Sequence, residues 1–212
     1  MSDYSISAMK ILRNPQATMK WYIVPLAVLL LYVVVREVKE KNYSVLLGAA
    51  ALWGMDIFNE LINSIVFHAT NFAPIWGTPD IGGTAFLILI GYNLEISINF
   101  VFIGLFACHA LPKDKHLKIF GINNRIICAV SMAITSVLIE CFLNYAGLLT
   151  WEYSWWSRSF PWLIFVFGYL TFFTIAIVVH DMEKFKNKFI TLGVLYGVDL
   201  LLLVIFGIRG WM

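Results

Sequence analysis

Six long apolar segments alternate with short polar connections along the chain. Each segment is close to the roughly 20 apolar residues that an α-helix needs to cross the hydrocarbon core of a bilayer. The pattern therefore predicts an all-α fold, a polytopic transmembrane helix bundle of about six spans. The predicted spans cover residues 19–35, 44–68, 84–111, 124–147, 160–182 and 189–208.

The N-terminal segment 1–18 does not share this pattern, because polar and charged side chains are mixed with apolar ones. It is too polar to cross a bilayer, and it lacks the apolar core and small-residue cleavage site of a secretory signal. We expect an interfacial helix or a frayed terminus here, with a seventh crossing as the alternative. The whole chain, 1–212, is predicted to form one integral membrane domain.

The composition agrees with a membrane protein. Of the 212 residues, 60% are hydrophobic and 13% are charged, whereas a soluble domain carries about 25% charged residues. A surface with so little charge is matched to lipid rather than to water. No basic patch of the nucleic-acid-binding kind occurs, so the expected partners are the membrane and a lipid or isoprenoid-like small molecule, with other membrane subunits as an alternative.

The positive charges are distributed unevenly between the two sides of the predicted bundle. Ten of the 15 Lys and Arg residues lie in or next to the loops 36–43, 112–123 and 183–188. Cytoplasmic loops carry an excess of Lys and Arg. We therefore expect these three loops to be cytoplasmic and both chain termini to lie on the opposite side.

The two connections on the other side are rich in aromatic residues and proline. Tryptophans concentrate at the two membrane–water interfaces of many membrane proteins, and that is one interpretation of these residues. The alternative is that they cover a pocket between the helices. The tryptophans in question are Trp76, Trp151, Trp155, Trp156 and Trp162.

Four polar residues interrupt the second predicted span, in the stretch "WGMDIFNELINSIVFH". Because each residue of an α-helix turns by about 100°, all four fall on one face. Polar side chains within a membrane face the bundle interior or a water-filled cavity rather than lipid. The stripe, which should therefore face inward, consists of Asp56, Asn59, Glu60 and Asn63.

Three further spans repeat this combination of a carboxyl group with polar neighbours at helical spacing. Because the repeated side chains lie three or four residues apart, they share a helix face in each span. The groups are Tyr92, Glu95 and Asn99 in the third span, Ser136, Glu140 and Asn144 in the fourth, and Tyr196 and Asp199 in the sixth.

Five carboxyl groups thus lie within spans, and no Lys or Arg lies at a comparable depth. Without buried cations, the carboxyl groups must be protonated, bind a cation or face water. We expect an acidic intramembrane site that needs no cofactor or metal. The candidate catalytic residues are Asp56, Glu60, Glu95, Glu140 and Asp199, and the candidate substrate-binding residues are Asn59, Asn63, Tyr92, Asn99, Asn144, Tyr196 and Trp151.

The stretch "DIFNELINSIVF" resembles the second span of the fungal membrane-embedded terpene cyclases of meroterpenoid and indole-diterpene pathways. In that family an acid of this span and an acid of the last span are taken to protonate an epoxide or alkene. The resemblance implies that Glu60 is the first acid and Asp199 the second, with an isoprenoid as substrate. The family has a tryptophan where this chain has Asn59, and it has seven spans rather than six.

Several other functions remain open on the sequence. A carboxylate-rich helix bundle can hold hard metal ions, although the Glu-x-x-His pattern of such sites does not occur here. Acids in series are also typical of proton-coupled transporters. A non-catalytic subunit of a membrane complex, in which the acids contact partner helices, is a further alternative. Polar residues also join helices through hydrogen bonds with no other role.

Overall fold

Eight α-helices form the framework of the structure, a computed structural model that describes residues 1–78 and 86–212. Each of the six predicted spans contains a helix, and the N-terminal segment contains two. The predicted helical bundle is therefore confirmed. They are α1 (Asp3–Ile11), α2 (Pro15–Thr18), α3 (Ile23–Lys39), α4 (Tyr43–Thr70), α5 (Leu94–His109), α6 (Asn124–Tyr145), α7 (Thr171–Asp181) and α8 (Phe185–Ile208).

A π-helical segment, Ile164–Leu170, precedes α7 and is continuous with it. Four helical segments are long and apolar enough to cross a membrane: α4, α6, α8 and the combined segment Ile164–Asp181. α3 and α5 are shorter, with 17 and 16 residues. Single π-helical turns often occur at functional sites, and this one borders the cavity described below.

The third predicted span differs most from the structure, because its helix begins only at Leu94. The preceding residues form two short antiparallel strands, β2 (Leu87–Leu89) and β3 (Tyr92–Asn93). The Asn93 side chain then caps α5 by accepting a hydrogen bond of 2.8 Å from the amide of Ile96. The predicted span start at residue 84 and the loop residues Pro79, Gly82 and Gly83 lie outside the described residues.

Helix α4 is the centre of the bundle and packs against α5, α7 and α8. Small residues allow these close contacts. A methyl group on Gly54 would lie 2.8 Å from Leu195 of α8, and one on Gly104 would lie 2.7 Å from the Ala49 backbone of α4. Close approach at small residues is the usual way in which helices associate inside a membrane.

The outward faces of the bundle are apolar. α8 is the clearest case, because only 11% of its most apolar 18-residue stretch is buried in the protein. Its exposed residues include Val194, Leu200 and Ile208, with exposed fractions of 63%, 61% and 84%. Contiguous apolar surface of this size marks contact with a membrane or a partner, and it fits the predicted spans.

The N-terminal segment forms a helix that is attached to the rest of the protein. The Tyr4 hydroxyl donates a hydrogen bond of 2.7 Å to the Ile90 carbonyl, and Ser5 donates one of 3.2 Å to the Phe72 carbonyl. Ala8 packs with Phe67 in a small apolar cluster. Burial raises the pKa of the Tyr4 hydroxyl, so this phenol stays neutral.

The two connections on the aromatic side, residues 71–78 and 146–163, join above the helices and are together named the roof. Strand β1 (Trp76–Gly77) of the first pairs with β6 (Thr150–Trp151) of the second. The Tyr153 hydroxyl also donates a hydrogen bond of 2.9 Å to the Ala73 carbonyl. The roof is therefore one connected unit in its described residues.

A cluster of charged and polar side chains holds the opposite ends of the helices together. It is named here the clasp and consists of Ser44, Arg125, His180, Asp181 and Lys188. Arg125 binds Asp181 through two hydrogen bonds, of 2.6 and 3.2 Å. Lys188 donates to the Ser44 hydroxyl at 2.8 Å and to the His180 carbonyl at 2.6 Å. Nearby, β4 (Lys118–Ile119) and β5 (Ile122–Asn123) form a short hairpin.

Candidate functional site

A cavity of about 410 Å³ lies beneath the roof, between α4, α5, α6 and the π-helical segment. This volume is within the range of about 300–1,000 Å³ that is typical of small-molecule sites. The cavity combines acidic and aromatic side chains. Its carboxyl groups are Asp56, Glu60 and Glu140, and its aromatic residues are Trp76, Phe100, Phe102, Trp156, Tyr169 and Phe172.

Glu60 is held by neutral donors from the roof and from its own helix. The indole nitrogen of Trp76 donates a hydrogen bond of 2.7 Å to Glu60 Oε1, and Asn63 Nδ2 lies 3.4 Å from Glu60 Oε2. Only 3% of Glu60 is exposed. Trp76 therefore orients the carboxyl group without neutralising it by an opposite charge.

Asn63 joins α4 to the roof and does not line the cavity. Its Oδ1 accepts hydrogen bonds from the amides of Ile75, at 2.7 Å, and Trp76, at 3.3 Å. Its Nδ2 donates to the Trp76 carbonyl at 2.8 Å. The residue that the sequence predicts to bind substrate instead fixes the backbone of the tryptophan that contacts Glu60.

Gly91 leaves room for this arrangement. A methyl group at Gly91 would overlap Asn63 Nδ2 and would lie 2.6 Å from the Trp76 carbonyl and 3.3 Å from Glu60 Oε2. The chain between β2 and β3 thus passes directly over the polar network around Glu60. Only glycine fits at this place, because any Cβ atom would displace the carboxyl group's supporting residues.

Asp56 lies one helical turn before Glu60 and is 2% exposed. The Tyr92 hydroxyl is a neighbouring hydrogen-bond donor for its carboxyl group, and the indole nitrogen of Trp53 donates a hydrogen bond of 3.2 Å to the same hydroxyl. The second oxygen, Oδ2, has no hydrogen-bond partner among the described residues. A buried polar atom without a partner is unfavourable, so this oxygen has an unused capacity to bind a ligand.

Glu140 enters the cavity from α6, opposite the acids of α4. The Tyr169 hydroxyl, on the π-helical segment, is a neighbouring hydrogen-bond donor for this carboxyl group. Tyr169 itself is buried and stacks with Phe100 at a ring distance of 6.5 Å. Each of the three acids is thus supported by an aromatic side chain with a polar N–H or O–H group: Tyr92, Trp76 or Tyr169.

No basic side chain lines the cavity within the described parts of the chain, 1–78 and 86–212. Residues 79–85 contain no Lys, Arg or His in their sequence. In the same described residues, no group of three or more His, Cys, Asp and Glu side chains is placed to hold a metal ion. The donors to the acids are therefore neutral.

Two amides from different helices complete the polar lining. Asn59 lines the cavity and donates a hydrogen bond of 3.3 Å to the Phe167 carbonyl of the π-helical segment. Asn99 of α5 also lines the cavity, but its side chain is exposed at the outer surface. On α6 the exposed Ile139 lines the cavity in the same way.

Asp199 is buried but does not line this cavity. It lies on α8 with 5% of its surface exposed, and neither carboxyl oxygen has a hydrogen-bond partner among the described residues. Tyr196, one turn earlier, donates a hydrogen bond of 2.8 Å to the Ala50 carbonyl of α4. The structure thus separates Asp199 and Tyr196 from the other three acids.

The remaining candidates also lie outside the cavity lining. Glu95 is in the first turn of α5, where it accepts a hydrogen bond of 2.9 Å from the Tyr22 hydroxyl. Asn144 donates one of 2.9 Å to the Leu149 carbonyl and so shapes the end of α6. Tyr92 contributes only through Asp56. Trp151 is the strand partner of Trp76, and its indole nitrogen has no partner in the described structure.

The tryptophans of the two connections fall into two sets, one at the cavity and one exposed. Trp76 and Trp156 line the cavity, with their rings 5.2 Å apart. Trp155 and Trp162 are exposed by 41% and 66%, as expected for an interfacial belt. Tyr169, Phe100 and Phe172 were not among the sequence candidates, since an aromatic residue in an apolar helix gives no signal of its own.

Comparison with known sequences gives a match over nearly the whole chain. The model of a family described as "Uncharacterized membrane protein family" matches residues 2–208. A protein of the archaeon Archaeoglobus fulgidus, described as "Uncharacterized protein", is 44% identical over 206 residues, which cover 96% of each chain.

A second, shorter protein of the same organism carries the same description. It is 46% identical over 52 residues, which cover 24% of this chain and 93% of the shorter one. No solved structure matches the chain significantly. The relatives therefore support a membrane protein and name no activity.

Proposed function

The chain belongs to this membrane protein family, and we propose that it is an integral membrane enzyme that acts on a lipid-like or isoprenoid substrate in its acidic cavity. One observation carries the proposal: Asp56, Glu60 and Glu140 line one cavity and are supported by neutral donors. Ionisable residues inside a membrane are functional candidates by default. A cluster used only to hold helices together would be expected to contain opposite charges.

The chemistry best suited to this site is proton transfer to an apolar substrate. A neutral carboxylic acid, Glu60 or Glu140, donates its proton to a carbon–carbon double bond, whose π electrons form the new C–H bond. A second alkene of the same molecule can then attack the carbocation with its π electrons, which closes a ring and leaves the positive charge on a new carbon; without this attack, only the double bond changes position. A carboxylate then removes a proton from the neighbouring carbon, so the overall reaction is an isomerisation and needs no co-reactant.

The aromatic walls suit such an intermediate. Aromatic faces attract cations, with tryptophan the strongest. Trp76, Trp156 and Phe100 all line the cavity, so a carbocation formed beside Glu60 would be surrounded by π systems. The apolar walls also keep water away from the cation, which would otherwise capture it as an alcohol.

A substrate activated by loss of diphosphate fits less well. Enzymes bind diphosphate with Lys, Arg or Mg²⁺, and the described cavity lining has no basic side chain. The three carboxyl groups also offer no positive charge to balance an anionic substrate. This favours activation by protonation.

The resemblance to membrane-embedded terpene cyclases suggests a related reaction with a different second acid. In that resemblance Asp199 is the partner of Glu60, but Asp199 does not line the cavity. We therefore assign the second acid to Glu140, on α6. The loops 36–43, 112–123 and 183–188 remain assigned to the cytoplasm as part of this proposal, which places the roof on the opposite side of the membrane.

The test is an isomerisation assay on the purified protein in vesicles that contain neutral polyprenyl lipids. Wild-type protein should convert one lipid into a product of equal mass and different retention time. Glu60→Gln and Glu140→Gln should each reduce product formation by about 10²–10⁴-fold, the usual contribution of a general acid or base.

Glu95→Gln is the matched control, because it makes the same change outside the cavity and should retain activity. If none of the lipids is converted by the wild type, or if Glu60→Gln and Glu140→Gln are as active as the wild type, the proposal is wrong. Loss of folded protein in both variants would instead favour a structural role or a role as a subunit of a complex.

A further inference from the structure

The rim of the cavity lies on the outer surface between α5 and α6. Asn99 of α5 and Ile139 of α6 line the cavity and are also exposed, Ile139 by 55%. The two residues lie five and six residues from the roof ends of their helices. At 1.5 Å per residue this corresponds to about 8 and 9 Å, so they face each other at a similar depth.

The position of this rim is below the roof and not within it. α5 and α6 each pack against α7, and they flank the cavity on two sides. An opening between two spanning helices faces the acyl chains of the lipid. An amide such as Asn99 is unfavourable in contact with lipid. At an opening, its side chain can instead face the cavity, which is also lined by polar side chains.

The interior of the cavity defines the polar end of a suitable ligand. Asp56 is 2% exposed, lines the cavity and has one carboxyl oxygen without a partner in the described structure. A buried acceptor of this kind is satisfied by a hydrogen-bond donor. An anionic group would find no basic side chain among the described lining residues, whereas a hydroxyl group can donate to Asp56 and accept from a protonated acid.

We propose that the space between Asn99 and Ile139 is a lateral portal through which a lipid with an uncharged, hydrogen-bond-donating head, such as a polyprenyl or fatty alcohol, reaches Asp56 from the membrane. This proposal specifies the substrate of the proposed enzyme and rests on the same cavity. The hydroxyl end and the adjoining carbons occupy the cavity, and the remaining chain stays in the lipid. Long chains are accommodated because only one end needs to fit in about 410 Å³.

The experiment uses photolabelling of the full-length protein in phosphatidylcholine vesicles. The probe is a fatty alcohol with a diazirine close to the hydroxyl group, and the comparison probe is its phosphate monoester with the same chain. Labelled peptides are identified by mass spectrometry. Labelling of the exposed face of α8 reports the background contact of each probe with the protein surface.

We expect the alcohol to label cavity residues such as Phe100 and Leu143 at least about tenfold more than the phosphate ester does, after correction for the α8 background. Burying a phosphate charge without a cationic partner costs more than the roughly 1.4 kcal/mol of a tenfold preference. Ile139→Trp should reduce this cavity labelling by about tenfold or more by filling the portal. Asn99→Trp tests the same portal from the facing helix.

Leu138→Trp is the matched control, because Leu138 is adjacent on α6, is 64% exposed and does not line the cavity. It should leave labelling unchanged. Equal labelling by the alcohol and the phosphate ester would overturn the ligand class, and full cavity labelling in both Ile139→Trp and Asn99→Trp would overturn the portal. Portal-dependent labelling without any product would refute the proposed reaction and leave this inference standing.

Discussion

The two ends of the helix bundle differ in the partners that their carboxyl groups have. In the clasp, Arg125 and Asp181 form an ion pair with two hydrogen bonds, of 2.6 and 3.2 Å. Beneath the roof, Glu60 receives its closest hydrogen bond from the neutral indole of Trp76, at 2.7 Å. Both sets connect different parts of the chain, but of the two only the clasp contains an ion pair between Arg and Asp side chains.

This difference separates a structural role from a functional one. A paired charge contributes to stability because its partner is present in the folded state, and removing one partner leaves the other uncompensated. A carboxyl group without a counterion gains little from ionisation in a low-dielectric site, and its proton remains available for transfer. The clasp is therefore expected to carry stability and the cavity to carry chemistry.

The largest loss of stability is expected from Arg125→Met. Among the described residues, Asp181 would keep His180, at 2.9 Å, as its one side-chain partner that can carry positive charge. The bond of 2.8 Å from Arg125 to the Pro112 carbonyl would also be lost. Breaking a fully buried pair costs about 3–5 kcal/mol, and this pair, with side chains 13% and 17% exposed, should cost somewhat less. Chemical unfolding in detergent, followed by circular dichroism, measures the change.

Arg36→Met is the control for this ion-pair prediction. Arg36 also binds a carboxylate, Glu40, at 2.8 Å, but the two side chains are 60% and 45% exposed. Exposed pairs contribute about 0–1 kcal/mol. A loss at Arg125 as small as the loss at Arg36 would contradict the structural role of the clasp.

Gly91→Ala should disturb the support of Glu60. Its new methyl group would overlap Asn63 Nδ2 and approach the Trp76 carbonyl to 2.6 Å, and such overpacking costs about 1–3 kcal/mol. The free energy of unfolding measures this effect. Gly193→Ala on α8 is the control, because a methyl group there meets no atom within 4 Å in the described structure. An unchanged stability of Gly91→Ala would show that the turn between β2 and β3 does not lie so close to the network around Glu60.

Trp76→Phe isolates the indole hydrogen bond to Glu60. It keeps the aromatic contact with Trp156 and removes the donor at 2.7 Å. Leaving a buried acceptor without its donor costs about 1–3 kcal/mol. Trp151→Phe, at the paired strand position, removes an indole N–H without a partner in the described residues, and its stability should stay near that of the wild type. Equal losses in both variants would exclude the Trp76 bond as the cause.

The smallest effect is expected for Asp199→Asn. Neither oxygen of Asp199 has a hydrogen-bond partner in the described residues, so no bond is lost when the carboxyl group becomes an amide. The free energy of unfolding should change by less than about 1 kcal/mol, the net contribution of one hydrogen bond. A loss of about 3 kcal/mol or more would mean that Asp199 has a charged or ligand partner in the membrane.

Much of the helical framework follows from the hydropathy of the sequence, because a segment of about 20 apolar residues has few alternatives to a spanning helix. The spacing of Asp56, Asn59 and Glu60 also predicts correctly that they share one face and point into the bundle. The third span shows the limit of this argument. Residues 86–93 are apolar enough to be read as helix, yet they form β2 and β3, and Asn93 begins α5 as its cap.

The grouping of the acids could not be deduced from one sequence. Glu140 and Asp199 look equivalent as single acids within apolar spans, and only the packing order of the helices decides which one faces α4 across the cavity. Similarly, Asn63 belongs to the predicted stripe, but its partner is the backbone of residues 75–76. A side chain that binds distant backbone leaves no local pattern in the sequence.

The most direct test of the central claim is the rate of lipid isomerisation by Glu140→Gln, measured per mole of folded protein and compared with Glu95→Gln. Glu140 is the acid that the sequence resemblance did not assign and that the cavity geometry selects. We expect the rate to fall by about 10²–10⁴-fold, with a melting temperature within a few degrees of the wild type. A Glu140→Gln protein that isomerises lipid as fast as Glu95→Gln would contradict it.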